Sequence, residues 1–468
     1  MNFTQLSFWI FVIVCFAIYW FKQKQTWQNV VLLIASLVFY AFFDLSYLFL
    51  LILSIVMDYW ISIQFLKEKA LKRNLLFFSL VINAGIWIFF KYSQSILSLF
   101  LGNQNFSPSG FARTSFSLIV PIGLSFFTLK KIAYIVDVSR GQIQPTKNII
   151  TYACFVAFFP QIIAGPIDRA QDLIPQFQIA RKWRGQNFLE AWPLILTGLF
   201  KKIVIADGVS VVVDQVYLAQ SPSKLLWLIG TLGFVTQLLA DFSGYTDVSR
   251  GIARLFGFKT TINFNAPYLS TNIIDFWNRW HITLSEWLKT YIFYPFRRWL
   301  LKCTKNKSGA LATILPPLVT MLVSGLWHGT GVNFIAWGLL HGIMIAGYQI
   351  FTKSAKNKNI PTINVVTSWL LSMIFLVLTW GLFRASSVEW MGGVLFKSPI
   401  ANGIEDINIC LSIFSFVFFY TGLYLIEFLI HRWTDSTTWI KPFFYACITI
   451  MIFVYSNTIS PDFIYTHF

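Results

Sequence analysis

The chain has 468 residues, of which 56% are hydrophobic, 18% aromatic and only 12% charged, and its mean hydropathy is +0.64. That balance excludes a soluble protein with one apolar core and a polar surface, and it places most of the surface against lipid. The net charge of +17 does not read as a nucleic-acid-binding surface, because the lysines and arginines fall in short clusters between apolar runs and form no basic domain.

The first apolar run, 6–21, lacks the basic leader and small-residue cleavage site of a signal peptide and is expected to remain as a helix. Lys22 and Lys24 follow it, Asp44 follows the run 29–43, and Lys67, Lys69, Lys72 and Arg73 follow 45–65. The positive-inside rule then puts the N-terminus outside and the Lys67 to Arg73 loop in the cytoplasm. Anionic lipid would attract the same basic loops. Further runs at 74–90, 147–164, 187–206, 222–241, 311–325, 331–351, 364–383, 408–431 and 437–456 bring the spanning candidates to about a dozen.

Between these runs, 117–136 and 242–300 are aromatic yet carry Lys, Arg, Asp, His and Pro at intervals that no lipid-facing helix tolerates. Polar backbone at membrane depth survives only where protein or a water-filled cavity surrounds it. The two stretches therefore predict re-entrant or interfacial helices, broken at Pro121-Ile122-Gly123 and at Asn263 to Pro267. The expected fold is a single all-α integral membrane domain, 1–468, with about 10–13 transmembrane helices and re-entrant helices around a central chamber. No internal repeat of the inverted-transporter kind is visible. The segment 352–363 reads as a charged connector and 385–407 as a mixed segment.

Histidine is the side chain best suited to general-base work near neutral pH, and the chain has five. His281 sits in Phe276-Trp277-Asn278-Arg279-Trp280-His281, and His328 in Ser324-Gly325-Leu326-Trp327-His328-Gly329 at the end of an apolar run. An ionisable group at that depth is a functional candidate, with a satisfied histidine at a helix interface as the plainer reading. His341 is expected to pack against neighbours, and His431, beside Arg432 at a helix end, to lie at the interface. No carboxylate or cysteine stands at ligand spacing around either Trp-His pair, so no metal site is expected. The five scattered cysteines read as small core residues, and no tightly bound cofactor is indicated.

The segment Asp241-Phe242-Ser243-Gly244-Tyr245-Thr246-Asp247 reads in two ways. It is a polar wall that orients substrate or pairs Arg250, Arg254 or Arg279, or it is a helix cap at an interfacial bend. Gly165-Pro166-Ile167-Asp168-Arg169 reads as a helix stop with an ion pair. Nucleophile-elbow, Walker and dinucleotide fingerprints are absent. The residues by themselves reach a membrane-embedded chamber with one or two candidate histidine bases.

Several blocks in order along most of the chain resemble the membrane-bound O-acyltransferases, and among them the bacterial alginate O-acetylation type. They are Pro121-Ile122-Gly123-Leu124-Ser125-Phe126-Phe127-Thr128, Phe158 through Ile167, Gly198-Leu199-Phe200-Lys201-Lys202, Asp241 through Tyr245, Asn263 through Leu269 with Phe276 through His281, and Gly325 through Gly329. The resemblance implies acyl transfer to a hydroxyl, with His328 matching the essential histidine and His281 a supporting one. Trp327, Trp280, Arg279, Asn278, Asp241, Ser243 and Tyr245 are then the candidates to bind substrate.

The resemblance also implies a cytoplasmic acyl thioester, acetyl-CoA, as donor, and an extracytoplasmic glycan such as alginate, another exopolysaccharide or peptidoglycan as acceptor. The location it implies is the bacterial inner membrane, with an extracytoplasmic transferase as partner. The final Phe463-Ile464-Tyr465-Thr466-His467-Phe468 looks like a terminal Phe-x-Tyr-x-x-Phe motif in which Tyr465 relays the acyl group, and an interfacial aromatic anchor is the alternative. A relay there needs the C-terminus outside. Two blocks, Gly165 to Arg169 and Phe276 to His281, also look like the teichoic-acid D-alanylation branch. The competing functions are D-alanyl transfer, a non-catalytic acyl-group transporter, and a scaffold for a polysaccharide secretion complex.

Overall fold

The computed structural model describes residues 3–67, 71–101, 120–305, 309–358, 364–433 and 439–456, which form helices, turns and irregular segments with no strand among them. The helices gather into two compact units. The first comprises Met1–Ala191 with Ser249–Thr261, and the second Trp192–Val248 with Ile262–Phe468.

In chain order the helices begin with α1 (Leu6–Phe21), α2 (Gln25–Ala41), α3 (Leu45–Lys67), α4 (Lys72–Leu101), α5 (Leu124–Ser139), α6 (Ile149–Ala157), α7 (Ala170–Phe177) and α8 (Gly185–Leu199). A π-helical turn, Phe200–Ala206, joins α8 directly to α9 (Asp207–Leu218), and α10 (Lys224–Leu255) follows. Short helices come next: a 3-10 turn at Pro267–Leu269, α11 (Ile273–Arg279), α12 (Ile282–Leu288), a second π turn at Lys289–Phe293, and α13 (Tyr294–Cys303). Long helices close the chain: α14 (Leu311–His328), α15 (Val332–Lys358), α16 (Val365–Arg384), then α17 (Val388–Gly392) with a π turn at Gly393–Lys397, α18 (Ile404–Trp433) and α19 (Ile440–Tyr455).

Seven of these helices are long and apolar enough to cross a membrane: α3, α4, α10, α14, α15, α16 and α18, with α1, α2 and α19 as shorter apolar helices. A bilayer core about 30 Å thick sets that length. Within their most apolar windows α4 and α18 are only 11% and 17% buried, so their hydrophobic surface is turned outward, as lipid requires. The protein is thus an all-α, multi-pass membrane protein.

Three expectations about the elements are corrected. The run 147–164 is not a span: α6 is nine residues long, starts where Asn148 Oδ1 accepts from the Ile150 and Thr151 amides at 2.8 and 3.2 Å, and ends in the buried non-helical segment after Ala157. The run 222–241 does not stop there, because α10 continues to Leu255. Asp241 to Asp247 therefore lie in the middle of a long helix and cap nothing, and only residues beyond α10 form the broken stretch. Gly165 to Arg169 is no helix stop either. Asp168 is buried, accepts from Gln161 Nε2 at 2.5 Å and from the Thr261 amide at 3.0 Å, and Gln161 in turn accepts from Lys130 Nζ at 2.7 Å.

In the first unit that polar chain is joined by a second one, in which Lys131 pairs with Asp58 at 3.4 Å and Asp58 accepts from Ser79 and Asn83. Gly123 is left-handed (φ +73), and a Cβ there would stand 2.2 Å from the Ile162 carbonyl oxygen, so the turn of the Pro121 block needs glycine. Cys15, Cys154 and Cys410 are buried as expected, whereas Cys303 is exposed at the end of α13.

Candidate active site

His328 is the last residue of α14, and Gly329 begins the short turn into α15. The hairpin is held by close backbone packing. A Cβ on Gly325 would lie 2.2 Å from the Phe334 carbonyl oxygen, one on Gly338 2.4 Å from that of Met321, and one on Gly342 2.9 Å from Leu318 Cα. Small residues let helices approach this closely inside a membrane. The consequence is a fixed place for the His328 ring, which is 4% exposed and lies 4.9 Å from Trp327, 5.3 Å from Trp337 and 5.4 Å from Phe383 between ring centroids.

His281 stands between α11 and α12 with φ 43, a left-handed conformation uncommon for a residue with a side chain. Such strain persists where the surroundings impose it. Here the Ile282 amide donates to the Asn263 carbonyl at 2.9 Å, the Asn265 amide donates to the Arg279 carbonyl at 3.0 Å, and the His281 carbonyl accepts from the Ser285 amide at 2.9 Å. The imidazole is fully buried, edge-on to Phe242 at 4.7 Å and 6.1 Å from Trp327. Trp327 is therefore in ring contact with both histidines.

Nδ1 of His281 lies 3.2 Å from Asn263 Oδ1, while Nε2 has no hydrogen-bond partner among the described residues. Leaving a buried polar atom unmatched costs about 1–3 kcal/mol, a cost that a donor group bound at Nε2 would offset. Burial pushes the His281 pKa well below its ordinary value, so the ring is neutral.

The other predicted site residues divide. Trp280 is buried beside Trp380 at 5.0 Å and Phe276 at 5.7 Å, in the aromatic wall of the same region. Asn278 is exposed and accepts from Lys289 Nζ at 2.7 Å. Arg279 pairs with Asp275 at 2.8 Å and Arg254 with Glu190, so neither is the partner expected for Asp241. Asp241 is instead bridged by Lys202 at 2.9 Å, and Lys202 also holds Asp207 at 2.8 Å. Ser243 and Tyr245 are buried on α10. Tyr465 lies outside the described residues.

Reading the sequence missed Lys201 and Lys202 as pieces of the architecture. Lys201 bridges Asp247 at 3.1 Å and Glu427 at 3.2 Å, and Glu427 is also 3.6 Å from His431 at the end of α18. The signal was present: two adjacent lysines in an apolar run demand buried partners. The π turn that carries them packs against α10 where Gly198 and Gly244 meet, each Cβ position 2.6–2.7 Å from the other's carbonyl oxygen.

A cavity of about 320 Å³ lies in the second unit, lined by Trp277, Asn278, Lys289, Phe293, Thr320 and Gln349 among others. Neither imidazole lines it. Its wall reaches toward His328 through rings, since Trp277 is 5.9 Å from Trp337, which touches His328. His341, expected to pack, is fully buried against Trp277 and Trp337 at 5.4 and 4.7 Å, with Nε2 3.2 Å from Thr379 Oγ1. Among the described residues no group of three or more His, Cys, Asp or Glu side chains is placed to hold a metal ion.

Fold and site together define a multi-pass helical membrane protein that buries two histidines in ring contact with one tryptophan. The chain belongs to the membrane-bound O-acyltransferase family, whose model matches residues 143–383. It is 34% identical over 386 residues to the "Probable alginate O-acetylase AlgI" of Pseudomonas syringae pv. tomato, covering 81% of this chain and 72% of that protein. It is 34% identical over 423 residues to the peptidoglycan O-acetyltransferase of Helicobacter pylori, covering 83% and 76%. The teichoic acid D-alanyltransferase of Bacillus subtilis is 29% identical over 276 residues, 57% of this chain and 69% of that one. The protein is an O-acyltransferase.

Proposed function

We propose that this enzyme transfers an acetyl group from a cytoplasmic thioester, acetyl-CoA, across the membrane for O-acetylation of an extracytoplasmic glycan. The observation that carries the reading is His328, buried at the α14–α15 turn and in ring contact with Trp327, which also contacts His281. In this reading His328 takes the proton of the attacking hydroxyl as its oxygen bonds to the thioester carbonyl carbon. The thiolate leaves and takes that proton, so the products are an ester and a free thiol. Aromatic walls exclude water and protect the thioester from hydrolysis.

The 320 Å³ cavity takes the donor's arm, with Asn278, Ser285, Glu286, Lys289, Thr320 and Gln349 as polar contacts among its apolar and aromatic lining residues. Acetyl is favoured over D-alanyl because the O-acetylating relatives align with 81% and 83% of the chain and the D-alanyl one with 57%. The charge pattern of Lys22, Lys24 and Lys67 to Arg73 favours an N-terminus outside, and the bacterial O-acetylating relatives favour an inner-membrane location. Tyr465 passes the acyl group to an extracytoplasmic transferase.

The test is the O-acetyl content of cell-surface glycan in cells carrying the wild-type chain or His328→Ala at equal membrane levels. Loss of the ester, with a rate fall on the order of 10²- to 10⁴-fold in purified enzyme, supports the reading and identifies the polymer. Unchanged ester reduces His328 to packing and brings forward a transporter or a scaffold.

A further inference from the structure

We propose that Asn263 is a positioning residue that fixes which nitrogen of His281 carries the proton. Asn263 is 1% exposed, and its side-chain oxygen accepts from the Thr283 amide at 3.2 Å and from the Thr283 hydroxyl at 2.9 Å. A backbone N–H can only donate, so the atom it reaches is the amide oxygen, and the usual ambiguity between oxygen and nitrogen is removed.

The same oxygen lies 3.2 Å from His281 Nδ1. Two acceptors do not bond, so Nδ1 carries the proton and Nε2 presents a bare lone pair. Nε2 is also the atom that the described residues leave unmatched in a fully buried ring. The left-handed backbone of His281, with the Ile282 amide donating to the Asn263 carbonyl and the Asn265 amide to the Arg279 carbonyl, keeps the ring and the oxygen in register. His281 is thus set as a proton acceptor through Nε2 before any substrate arrives. Its part in the reaction rests on the acyl-transfer reading above, whereas the placement of the proton does not.

The experiment is ¹⁵N NMR of the full chain labelled at histidine and reconstituted in bilayers, with the His281 signals assigned by their loss in His281→Gln. In the wild type, Nδ1 is expected protonated and Nε2 unprotonated. Asn263→Ala is expected to lose that pattern and to lower kcat on the order of 10-fold or more with the donor KM little changed. Thr283→Val, which leaves the Asn263 to His281 bond in place, keeps the pattern.

A wild-type His281 protonated on Nε2, or an Asn263→Ala chain that keeps the proton on Nδ1, overturns the proposal. The wild-type spectrum decides this without any variant having to fold. If the pattern changes in Asn263→Ala and the rate does not, the positioning role stands and the catalytic part assigned to His281 falls.

Discussion

Gly325 on α14 and Gly338 on α15 meet so closely that a Cβ built on either would stand 3.4 Å from the other's Cα. Three residues beyond Gly325 comes His328, so this crossing decides where that imidazole sits. Replacing Gly338 with leucine drives a side chain into the Met321 carbonyl. We expect a loss of about 1–3 kcal/mol from overpacking and a larger loss of transfer activity than of protein level. Thermal unfolding in detergent, followed alongside activity, checks both.

The Lys202 bridge to Asp207 and Asp241 makes a different prediction, because every partner is buried. Lys202→Met leaves two carboxylates without their cation and should cost about 3–5 kcal/mol. Adding Asp241→Asn should recover part of that loss. If the double variant is as unstable as the sum of the two singles, the bridge is not the unit that holds the π turn to α10.

If the cavity takes the donor arm, filling it should act on donor affinity first. Thr320→Trp is expected to raise the donor KM on the order of 10-fold, about 1.4 kcal/mol, with a smaller effect on kcat. Ile343→Trp, at a position 58% exposed on α15, serves as the comparison and should leave both near wild type. Equal kinetics in the two variants would remove the cavity from the donor path.

For Tyr465, Tyr465→Phe should abolish ester on the glycan at equal membrane level, because the phenolic oxygen is the atom that would carry the acyl group. Full retention of product acetylation sinks the relay and leaves an interfacial anchor.

Much of this was legible in the linear order of residues. Long apolar runs and short basic clusters give an all-α membrane protein on composition and period alone, because lipid admits few other backbones. The Trp-His pairs were visible as ionisable groups among aromatics, and the ordered blocks carried the family. What misled was 147–164. Apolarity has the same appearance whether a segment faces lipid or is enclosed by protein, and only the packing around α6 tells them apart.

The chain by itself determined the solvent it folds in, the helical class and the histidines available for chemistry, since these follow from side-chain hydropathy and local propensity. The tertiary structure decided the partners: Lys202 for Asp241, 39 positions apart in numbering, Asn263 for His281, and Trp327 in contact with both imidazoles. Spacing along the sequence carries no information about such contacts. They arise when glycines let helices close to backbone distance, and buried charges and ring nitrogens then take whatever partner that approach brings within reach.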